Sequence, residues 1–570
     1  MNESSLTNAR ANQAWGTTLA RTLSFLGVRH VVFSPGSRST PLILACEACK
    51  DLETLPILDE RSAGFYAIGL AKMSKKPVAV VCTSGTAAAN LSPSVLEANL
   101  SGVPLLLLTA DRPPELRDCG AGQAIDQLKL YGSHVRWFHE VATPEFQTDR
   151  LDYLRQTLVH ALAKATNVGG GPVHLNFPFR EPFFVENEWT NPPMPAGFKW
   201  DHFLQQVSPP VTTRTQLLED FSMFENFRRW LVVAGEGCSA RNAKEISEKL
   251  GAPVLAAAFS PVRESVSSHR ILRFENLLRD DIFRSEVTPD AVLSLGSLPT
   301  SKTLRSWLNE LDSPTWVAEP SGRNVDGLQR RSIHLACDFE ALADSLPKIE
   351  AENGWIESWA NAEARLEAKL NKAFSQIENL FEGKVAHLLS TALPDDSDLV
   401  VANSMPLRDV EWFWQGGKGK RRLSGNRGAN GIDGTLSTAL GVAHAVETPV
   451  FLLTGDLAFL HDVNGLLSKH MFKGSLTVII INNYGGGIFE NLPVAKLMPF
   501  EKCFATPQEV DMGNLCKAHG IIHAKPKDWA TFEDLIREPL GQGIRVIEVV
   551  TDRKADVVTR QELLSLGPTN

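Results

Sequence analysis

The sequence predicts an α/β protein of three domains, each a parallel sheet flanked by helices. Its 570 residues exceed the ~250–300 residues at which a single core stops growing. Short, continuously apolar segments alternate with helical stretches, a pattern typical of strands buried on both faces of a parallel sheet. Polar and glycine-rich turns follow many of these segments, and ligands of such sheets bind beyond the carboxyl ends of the strands. A large ligand site is therefore expected.

The first domain is predicted over residues 1–190. Its strands are the apolar runs VRHVVF, PVAVVC, VPLLLLTA and GPVHLNF, and helices follow the turns SPGSRS and TSGT. A proline-rich linker follows, bracketed by NPPMPAG at 191–197 and SPP at 208–210. This composition shift indicates a domain boundary.

The second domain is predicted over residues 211–350 and the third over 356–570. The second has the strands WLVVA, PVLAAA and AVLSL and the helix AKEISEKL. A charged helical stretch, WIESWANAEARLEAKLNKAF, leads into the third. There DLVVA, PVFLLT, SLTVIII and RVIEVV are the predicted strands, so the first and third domains are expected to share one architecture.

Composition excludes several classes of protein. The 57 basic and 66 acidic side chains give a net charge of −9, which provides no overall attraction to nucleic acid or anionic membranes. No run approaches the ~20 apolar residues of a membrane span, and the N-terminus lacks the order of a secretory signal. The eight cysteines form no disulfide framework, and the lone pair Cys46 and Cys49 is interpreted as structural. We therefore expect a cytoplasmic protein.

The segment from Thr454 to Phe489 is the most informative motif. One predicted strand ends in Gly455-Asp456, and the next ends in Asn482-Asn483 followed by YGGG. Neighbouring strand ends would place a carboxylate beside a carboxamide, and both are oxygen donors suited to Mg²⁺ or Mn²⁺. Either pair alone more commonly caps a helix. Together, on two strand ends, they resemble the GD…NN signature of thiamine diphosphate enzymes.

That resemblance implies a three-domain architecture and a cofactor, thiamine diphosphate, held through Mg²⁺ or Mn²⁺. Asp456 and Asn483 would be side-chain ligands of the metal, and Gly485 would contribute its carbonyl. Leu58-Asp59-Glu60-Arg61 would supply the carboxyl group that contacts N1′ of the aminopyrimidine, and the resemblance selects Glu60 over Asp59. Without the resemblance, a Glu opening a helix would be explained by the helix dipole.

A third set of residues is cationic. In an otherwise acidic chain, Arg38, Arg112, Arg408 and Arg427 lie in turn-rich segments of the two outer domains, and Lys302 lies in GSLPTSKTL of the central domain. Arg recognises carboxylates with two parallel hydrogen bonds, although most surface Arg side chains are simply solvated. Several together suggest substrates that carry more than one carboxylate.

Longer strings resemble the MenD family, the 2-succinyl-5-enolpyruvyl-6-hydroxy-3-cyclohexene-1-carboxylate synthases. The most specific are SPGSRSTP, TADRPPELR and NRGANGIDG. The resemblance implies decarboxylation of 2-oxoglutarate and 1,4-addition of the succinyl unit to isochorismate in menaquinone or phylloquinone biosynthesis. It also implies pyrimidine-binding, central and diphosphate-binding domains in that order. Family members are homodimers or dimers of dimers in which the cofactor lies across the subunit interface.

The same resemblance assigns the remaining site residues by position. Ile432 and Ile488 would pack against the cofactor, and Gly455 and Ser404 would lie beside it. The substrate site would be lined by Ser404 and by Ser37, Arg38, Arg112, Gln123, Lys302, Arg408, Arg427 and Phe489. Two positions depart from the usual pattern. Gly122 stands where some relatives carry Asn, and Ala458 stands where many carry Ser or Thr.

Three other interpretations stay open at this point. The chain could be another thiamine diphosphate-dependent decarboxylase or an acetolactate-type carboligase, although neutral acceptors would not need the cationic set. GEGCSA, at Gly235–Ala240, matches a dinucleotide fingerprint after a strand, which would indicate an oxidoreductase. A non-catalytic interaction protein is the third, and Glu60, Asp456 and Asn483 argue against it. His174 and His461 are interpreted as structural.

Overall fold

The computed structural model describes residues 3–201, 221–329, 331–417, 420–538 and 540–569. The SPP end of the predicted linker and the start of the predicted second domain at 211 lie outside these ranges. The chain forms two compact units. The first holds the N-terminal sheet together with Asn426–Glu447 and His461–Ser475, and the second holds the central and C-terminal sheets.

The first unit is built on a six-stranded parallel sheet in the order β2-β1-β3-β4-β6-β5. Its inner strands β3 and β4 are buried along their whole length, as their predominantly apolar side chains require. The strands are β1 (His30–Phe33), β2 (Glu53–Pro56), β3 (Val78–Cys82), β4 (Leu105–Asp111), β5 (Trp137–Glu140) and β6 (Val173–Pro178).

Helices cover this sheet. One of them, the helix over Glu60–Ser74, packs closely through glycine against the helix over Thr435–Ala445. The N-terminal helices are α1 (Glu3–Phe25), α2 (Thr40–Ala48), α3 (Glu60–Ser74), α4 (Thr86–Asn90), α5 (Ser92–Ser101) and α6 (Thr148–Thr166). A Cβ on Gly69 of α3 would lie 2.1 Å from the carbonyl oxygen of Thr438, and one on Gly441 would lie 2.1 Å from that of Tyr66. The helix that contains Thr438 and Gly441 therefore belongs to this unit, because only glycine permits the contact.

The central sheet of the second unit has the order β12-β11-β10-β7-β8-β9 and is also parallel. Its strands are β7 (Trp230–Ala234), β8 (Val254–Ala256), β9 (Arg270–Ile271), β10 (Ala291–Leu295), β11 (Thr315–Ala318) and β12 (Ser332–Leu335). Its helices are α7 (Ala240–Leu250), α8 (Phe274–Leu277), α9 (Asp281–Glu286), α10 (Lys302–Glu310) and α11 (Phe339–Ser345). The predicted charged helix follows as α12 (Trp355–Gln376), whose buried face includes Trp359, Leu366 and Phe374.

The C-terminal sheet has the order β14-β13-β15-β16-β18-β17, the same relative order as the first sheet. Its strands are β13 (Asp398–Val401), β14 (Arg422–Ser424), β15 (Val450–Gly455), β16 (Ser475–Asn482), β17 (Ile522–Ala524) and β18 (Gly543–Val550). The helices from here on are α13 (Glu382–Ala392), α14 (Met405–Phe413), α15 (Thr435–Ala445), α16 (Asp456–His461), α17 (Met512–Ala518), α18 (Trp529–Arg537) and α19 (Arg553–Ser565). Three parallel sheets flanked by helices confirm the predicted fold class, while the domain boundaries at 190, 211, 350 and 356 stay a prediction.

Membrane and thiol features agree with the sequence interpretation. Over the described ranges, every helix is too short or too polar to cross a bilayer. All eight cysteines are free. Cys46 lies buried in α2, where desolvation raises the pKa of its thiol to about 12, and Cys49 follows the end of that helix. A buried thiol with so high a pKa packs rather than reacts.

Candidate active site

The end of the C-terminal sheet gathers Asp456 and Gly485. Strands β15 and β16 are neighbours, so the residues that follow them meet at one edge of the sheet. Asp456 Oδ2 accepts the backbone N–H of Gly485 at 2.9 Å, and Oδ1 accepts that of Leu457 at 2.8 Å. The two predicted halves of the GD…NN motif are therefore in direct contact.

Asn483 lies buried beside them with one free oxygen. Its Nδ2 donates to Glu382 Oε2 at 3.1 Å. Its Oδ1 is buried and accepts no hydrogen bond from the residues that the structure describes. A buried polar atom normally has a partner, so this oxygen is available to a ligand that is not part of the chain. An amide oxygen beside a carboxylate fits a hard divalent cation.

The glycines of the motif leave room for a group that binds there. No described atom lies within 4 Å of a Cβ built on Gly455, although this residue ends a buried strand. Gly485 has a φ of 132°, and a Cβ there would lie 2.2 Å from the Ala505 carbonyl oxygen. Gly455 therefore keeps space open, whereas Gly485 is required by its own backbone and by close packing.

The electrostatics of this edge favour a cation. Burial raises the pKa of Asp456 to about 6, and burial likewise raises that of Asp409 to about 7 and that of Asp556 to about 8. One cation, Arg560, pairs with Asp409 and with Glu382. Over the described ranges no three His, Cys, Asp or Glu side chains form a metal-binding group. A metal here would need amide, carbonyl and cofactor oxygens in addition to one carboxylate.

Ser404 and Arg408 lie at the start of α14, after β13. Ser404 has a φ of 74°, which is unfavourable for a residue with a side chain. Its carbonyl oxygen accepts Arg408 Nη1 at 2.7 Å. Strained backbone is typical of functional positions, so Ser404 stays a candidate site residue.

Lys302 is the first residue of α10 and is exposed. The loop before it is tied to α14, because the N–H of Thr300 donates to Glu411 Oε2 at 3.1 Å. Glu411 belongs to the same helix as Arg408. The hydrogen bond between Thr300 and Glu411 therefore connects the loop of Lys302 to the helix of Arg408 within the second unit. Two parts of one site would require such a connection.

Ile488 and Phe489 follow the glycine run in a short 3₁₀ turn, Gly487–Asn491, and both are half-buried. The Phe489 ring lies 5.8 Å from that of Phe504. Arg553 at the start of α19 supports this loop by donating to the Tyr484 carbonyl at 3.1 Å and to Glu490 at 2.8 Å. No sequence motif indicated Arg553.

Glu60 begins α3 in the first unit, but it does not cap that helix. Asp59 does so, because its Oδ1 accepts the N–H groups of Arg61 and Ser62 at 2.9 and 3.3 Å. Glu60 Oε2 instead accepts Nδ2 of Asn90 at 3.3 Å. A cavity of about 480 Å³ is lined by this segment, Asn90, Asn464 and Leu467. Helix capping therefore accounts for Asp59 and leaves the Glu60 carboxylate beside a cavity.

Arg38 and Arg112 converge at the ends of β1 and β4. Arg38 is buried and donates to the Phe179 carbonyl at 2.8 Å and to Glu181 at 2.9 Å. Burial and the nearby charge of Arg112 lower the pKa of Arg38. Two cations held together in this way repel each other, so an anion between them would be favoured. Ser37 lies exposed beside Arg38.

Gln123 belongs to the same group. Its Nε2 donates to the Ser84 carbonyl at 2.9 Å, and it has a φ of 57°. Arg112 donates to the Ser84 hydroxyl and, at 2.7 Å, to the Gly122 carbonyl. Position 122 thus contributes a backbone oxygen to this group, which glycine supplies as well as any residue. Ala458, the other departure, lies buried in α16.

The loop with Arg427 is held by a residue that the sequence did not indicate. Glu97 is buried, and its carboxylate accepts the N–H of Gly428 at 2.9 Å and that of Ala429 at 2.7 Å. Further along this loop, the carbonyl of the half-buried Ile432 accepts the Thr435 hydroxyl at 3.1 Å. The local sequence around Glu97, SPSVLEA, does not predict this role, because the backbone groups that Glu97 binds lie some 330 positions away.

The GEGCSA segment packs at Gly235 against the loop that follows a neighbouring strand. It follows β7, and the neighbouring strand β10 ends beside it. The Gly235 N–H donates to the Leu295 carbonyl at 2.9 Å, and a Cβ on Gly235 would lie 2.2 Å from the Ser297 carbonyl. Close packing between the two loops therefore accounts for Gly235, whereas a Cβ on Gly237 would meet no described atom within 4 Å.

Comparison with known proteins identifies the family of the chain. Three family models match in order, described as the N-terminal TPP binding domain of thiamine pyrophosphate enzymes over 14–130, the middle domain over 202–401 and the C-terminal TPP binding domain over 412–549. Proteins named 2-succinyl-5-enolpyruvyl-6-hydroxy-3-cyclohexene-1-carboxylate synthase are similar along nearly the whole chain. That of Gloeothece citriformis is 44% identical over 96% of both chains, and that of Trichormus variabilis is 43% identical over 97% of both. That of Thermosynechococcus vestitus is 45% identical over 97% of this chain and 98% of its own. The chain therefore belongs to the 2-succinyl-5-enolpyruvyl-6-hydroxy-3-cyclohexene-1-carboxylate synthase family of thiamine pyrophosphate enzymes.

Proposed function

We propose that this chain decarboxylates 2-oxoglutarate and adds the succinyl unit to isochorismate by 1,4-addition. The products are carbon dioxide and 2-succinyl-5-enolpyruvyl-6-hydroxy-3-cyclohexene-1-carboxylate, an intermediate of menaquinone or phylloquinone biosynthesis. The observation that carries the proposal is the contact of Asp456 with Gly485 beside the free Oδ1 of Asn483. This is the donor set that a thiamine diphosphate enzyme of this family needs.

Thiamine diphosphate is the cofactor, and when bound it supplies the carbanion stabilisation that decarboxylation of a 2-oxo acid requires. We assign Mg²⁺ or Mn²⁺ to Asp456, Asn483 and the Gly485 carbonyl, where it would neutralise the diphosphate charge. The open space at Gly455 and the strained Ser404 are assigned to the same cofactor site. Ile432 and Ile488 are assigned as its apolar contacts.

Glu60 is assigned as the catalytic acid–base residue. Its role is to hold and release a proton at N1′ of the aminopyrimidine, for which a partly buried carboxyl is suited. The support is its position beside a cavity, with its neighbour Asp59 already used as the helix cap. The hydrogen bond from Asn90 fixes the orientation of the carboxylate without neutralising it.

The substrates are assigned to the cationic groups, because both are dianions at neutral pH. Arg38 and Arg112 would hold a carboxylate, with Ser37 and Gln123 as further hydrogen-bonding groups. Lys302, Arg408 and Arg427 would hold the remaining carboxylates, and Phe489 would pack against a substrate. Charge-assisted hydrogen bonds of this kind are worth roughly 1.5–3 kcal/mol each.

We further propose a homodimer or a dimer of dimers in which two subunits complete each site. Glu60 belongs to the first unit and Asp456 to the second. Leu58, beside Glu60, is 65% exposed, and Leu467, which lines the same cavity, is 42% exposed. Apolar side chains at the mouth of a polar cavity suit a covering partner. The pyrimidine-binding, central and diphosphate-binding domains (1–190, 211–350 and 356–570) and a cytoplasmic location, consistent with eight free cysteines, belong to the same proposal.

The deciding experiment measures carbon dioxide released from 2-oxoglutarate, with and without isochorismate, in the presence of thiamine diphosphate and Mg²⁺. We expect sustained release only when both substrates are present. Pyruvate is the matched donor, because it lacks only the distal carboxymethyl group. Equal kcat/KM for the two donors would overturn the donor assignment and favour an acetolactate-type carboligase.

A further inference from the structure

The orientation of the Asn483 amide is set by a carboxylate that no motif contains. Glu382, the first residue of α13, accepts Nδ2 of Asn483 at 3.1 Å. A carboxylate offers acceptors only, so it selects the NH₂ group of the amide and leaves the oxygen free. Reversing the amide would place two oxygens in contact. The buried Oδ1 without a partner is thus a consequence of Glu382.

Glu382 is itself fixed by a buried arginine. Arg560 of α19 donates Nη2 to Glu382 Oε1, and it donates Nε and Nη2 to the two oxygens of Asp409 at 2.9 and 3.2 Å. Glu382, Arg560 and Asp409 are 4%, 1% and 2% exposed. The rigid guanidinium therefore joins α13, α14 and α19 behind the metal-binding edge, where a carboxylate without its partner would be costly.

We propose that Glu382, held by Arg560, is a positioning residue that presents the Asn483 oxygen to the divalent cation. The inference rests on the proposed function, because it assigns that oxygen to the metal. Neither residue contacts the substrate or the cofactor in this proposal, since both act through Asn483. Loss of such an outer partner typically reduces metal affinity 10- to 100-fold.

The test is Mn²⁺ binding to the full-length protein with saturating thiamine diphosphate, measured by electron paramagnetic resonance of free Mn²⁺. In Glu382→Gln the oxygen of the new amide stays with the Arg560 donor, so its NH₂ group faces Asn483 and the Asn483 oxygen is no longer left free. We expect the Mn²⁺ Kd to rise 10- to 100-fold. The matched control is Asp398→Asn, which removes a buried acid from its bidentate pair with Arg422 at the opposite end of β13. Its Mn²⁺ Kd should stay within twofold of wild type.

Arg560→Lys is the second variant, and it carries the test if Glu382→Gln does not fold. It keeps the charge but cannot bridge Glu382 and Asp409 through a planar fork, so the Kd should also rise. A lowered melting temperature with an unchanged Mn²⁺ Kd would show a purely structural role and overturn the inference. Wild-type protein that fails to bind Mn²⁺ would instead overturn the metal assignment of the proposed function.

Discussion

Glu97 offers a sharp test of how the substrate loop is held. Its buried carboxylate accepts the N–H groups of Gly428 and Ala429, which directly follow Arg427. Glu97→Gln keeps one acceptor oxygen and turns an NH₂ group toward the other N–H. One charge-assisted bond, worth roughly 1.5–3 kcal/mol, is lost. If that free energy is lost from the substrate-bound arrangement, kcat/KM falls about 10- to 150-fold, since each 1.4 kcal/mol is tenfold.

The assay is steady-state kinetics of wild type, Glu97→Gln, Arg427→Ala and the double variant. If Glu97 acts by placing Arg427, its effect should largely vanish in the Arg427→Ala background. Glu188→Gln, which removes a partly exposed partner of Arg10, is the control and should retain wild-type kinetics. Strictly additive effects, or a Glu97→Gln enzyme within twofold of wild type, would refute the reasoning.

Three further changes have defined outcomes. Glu60→Gln should lower kcat by ~10²–10⁴-fold while thiamine diphosphate still binds, as measured by isothermal titration calorimetry. Mixing inactive Glu60→Gln with inactive Asp456→Ala should restore activity once mass spectrometry shows subunit exchange, and exchange without activity would contradict the shared site. Burial lowers the pKa of His174 to about 3, below its unfolded value near 6.5, so its contribution to stability falls as pH drops below 6.5. Between pH 7 and 5, denaturant titration should therefore show wild type losing about 2 kcal/mol more than His174→Gln, and an equal loss would contradict a buried neutral imidazole.

Every inner strand except β11 could be predicted from the sequence, whereas the edge strands could not. Runs such as Leu105–Asp111 and Ser475–Asn482 are buried almost throughout, so they are predominantly apolar. The unpredicted strands include all six sheet edges, for example Glu53–Pro56 and Arg422–Ser424. An edge strand pairs on one side only and is partly exposed, so charge and short length obscure its pattern.

The site residues divide in the same way, into those with a local sequence pattern and those that are defined only by distant contacts. Asp456, Asn483 and Glu60 are adjacent to strand or helix boundaries that can be read locally, and the structure brings Asp456 and the Asn483 segment together. Glu97 and Glu382 gave no such signal, because each is defined by a partner 100 or more positions away. Buried charges of this kind become recognisable only when the fold shows what they contact.

The proposed reaction is tested most directly by mass spectrometry of the product formed from 1-carboxyl-labelled or unlabelled 2-oxoglutarate with isochorismate. The proposed reaction gives a product whose mass is the sum of the two substrates less one carbon dioxide, with the label of the 1-carboxylate recovered in the gas. Formation should require thiamine diphosphate and a divalent metal. Carbon dioxide released while isochorismate stays unchanged would contradict the account and indicate a simple decarboxylase.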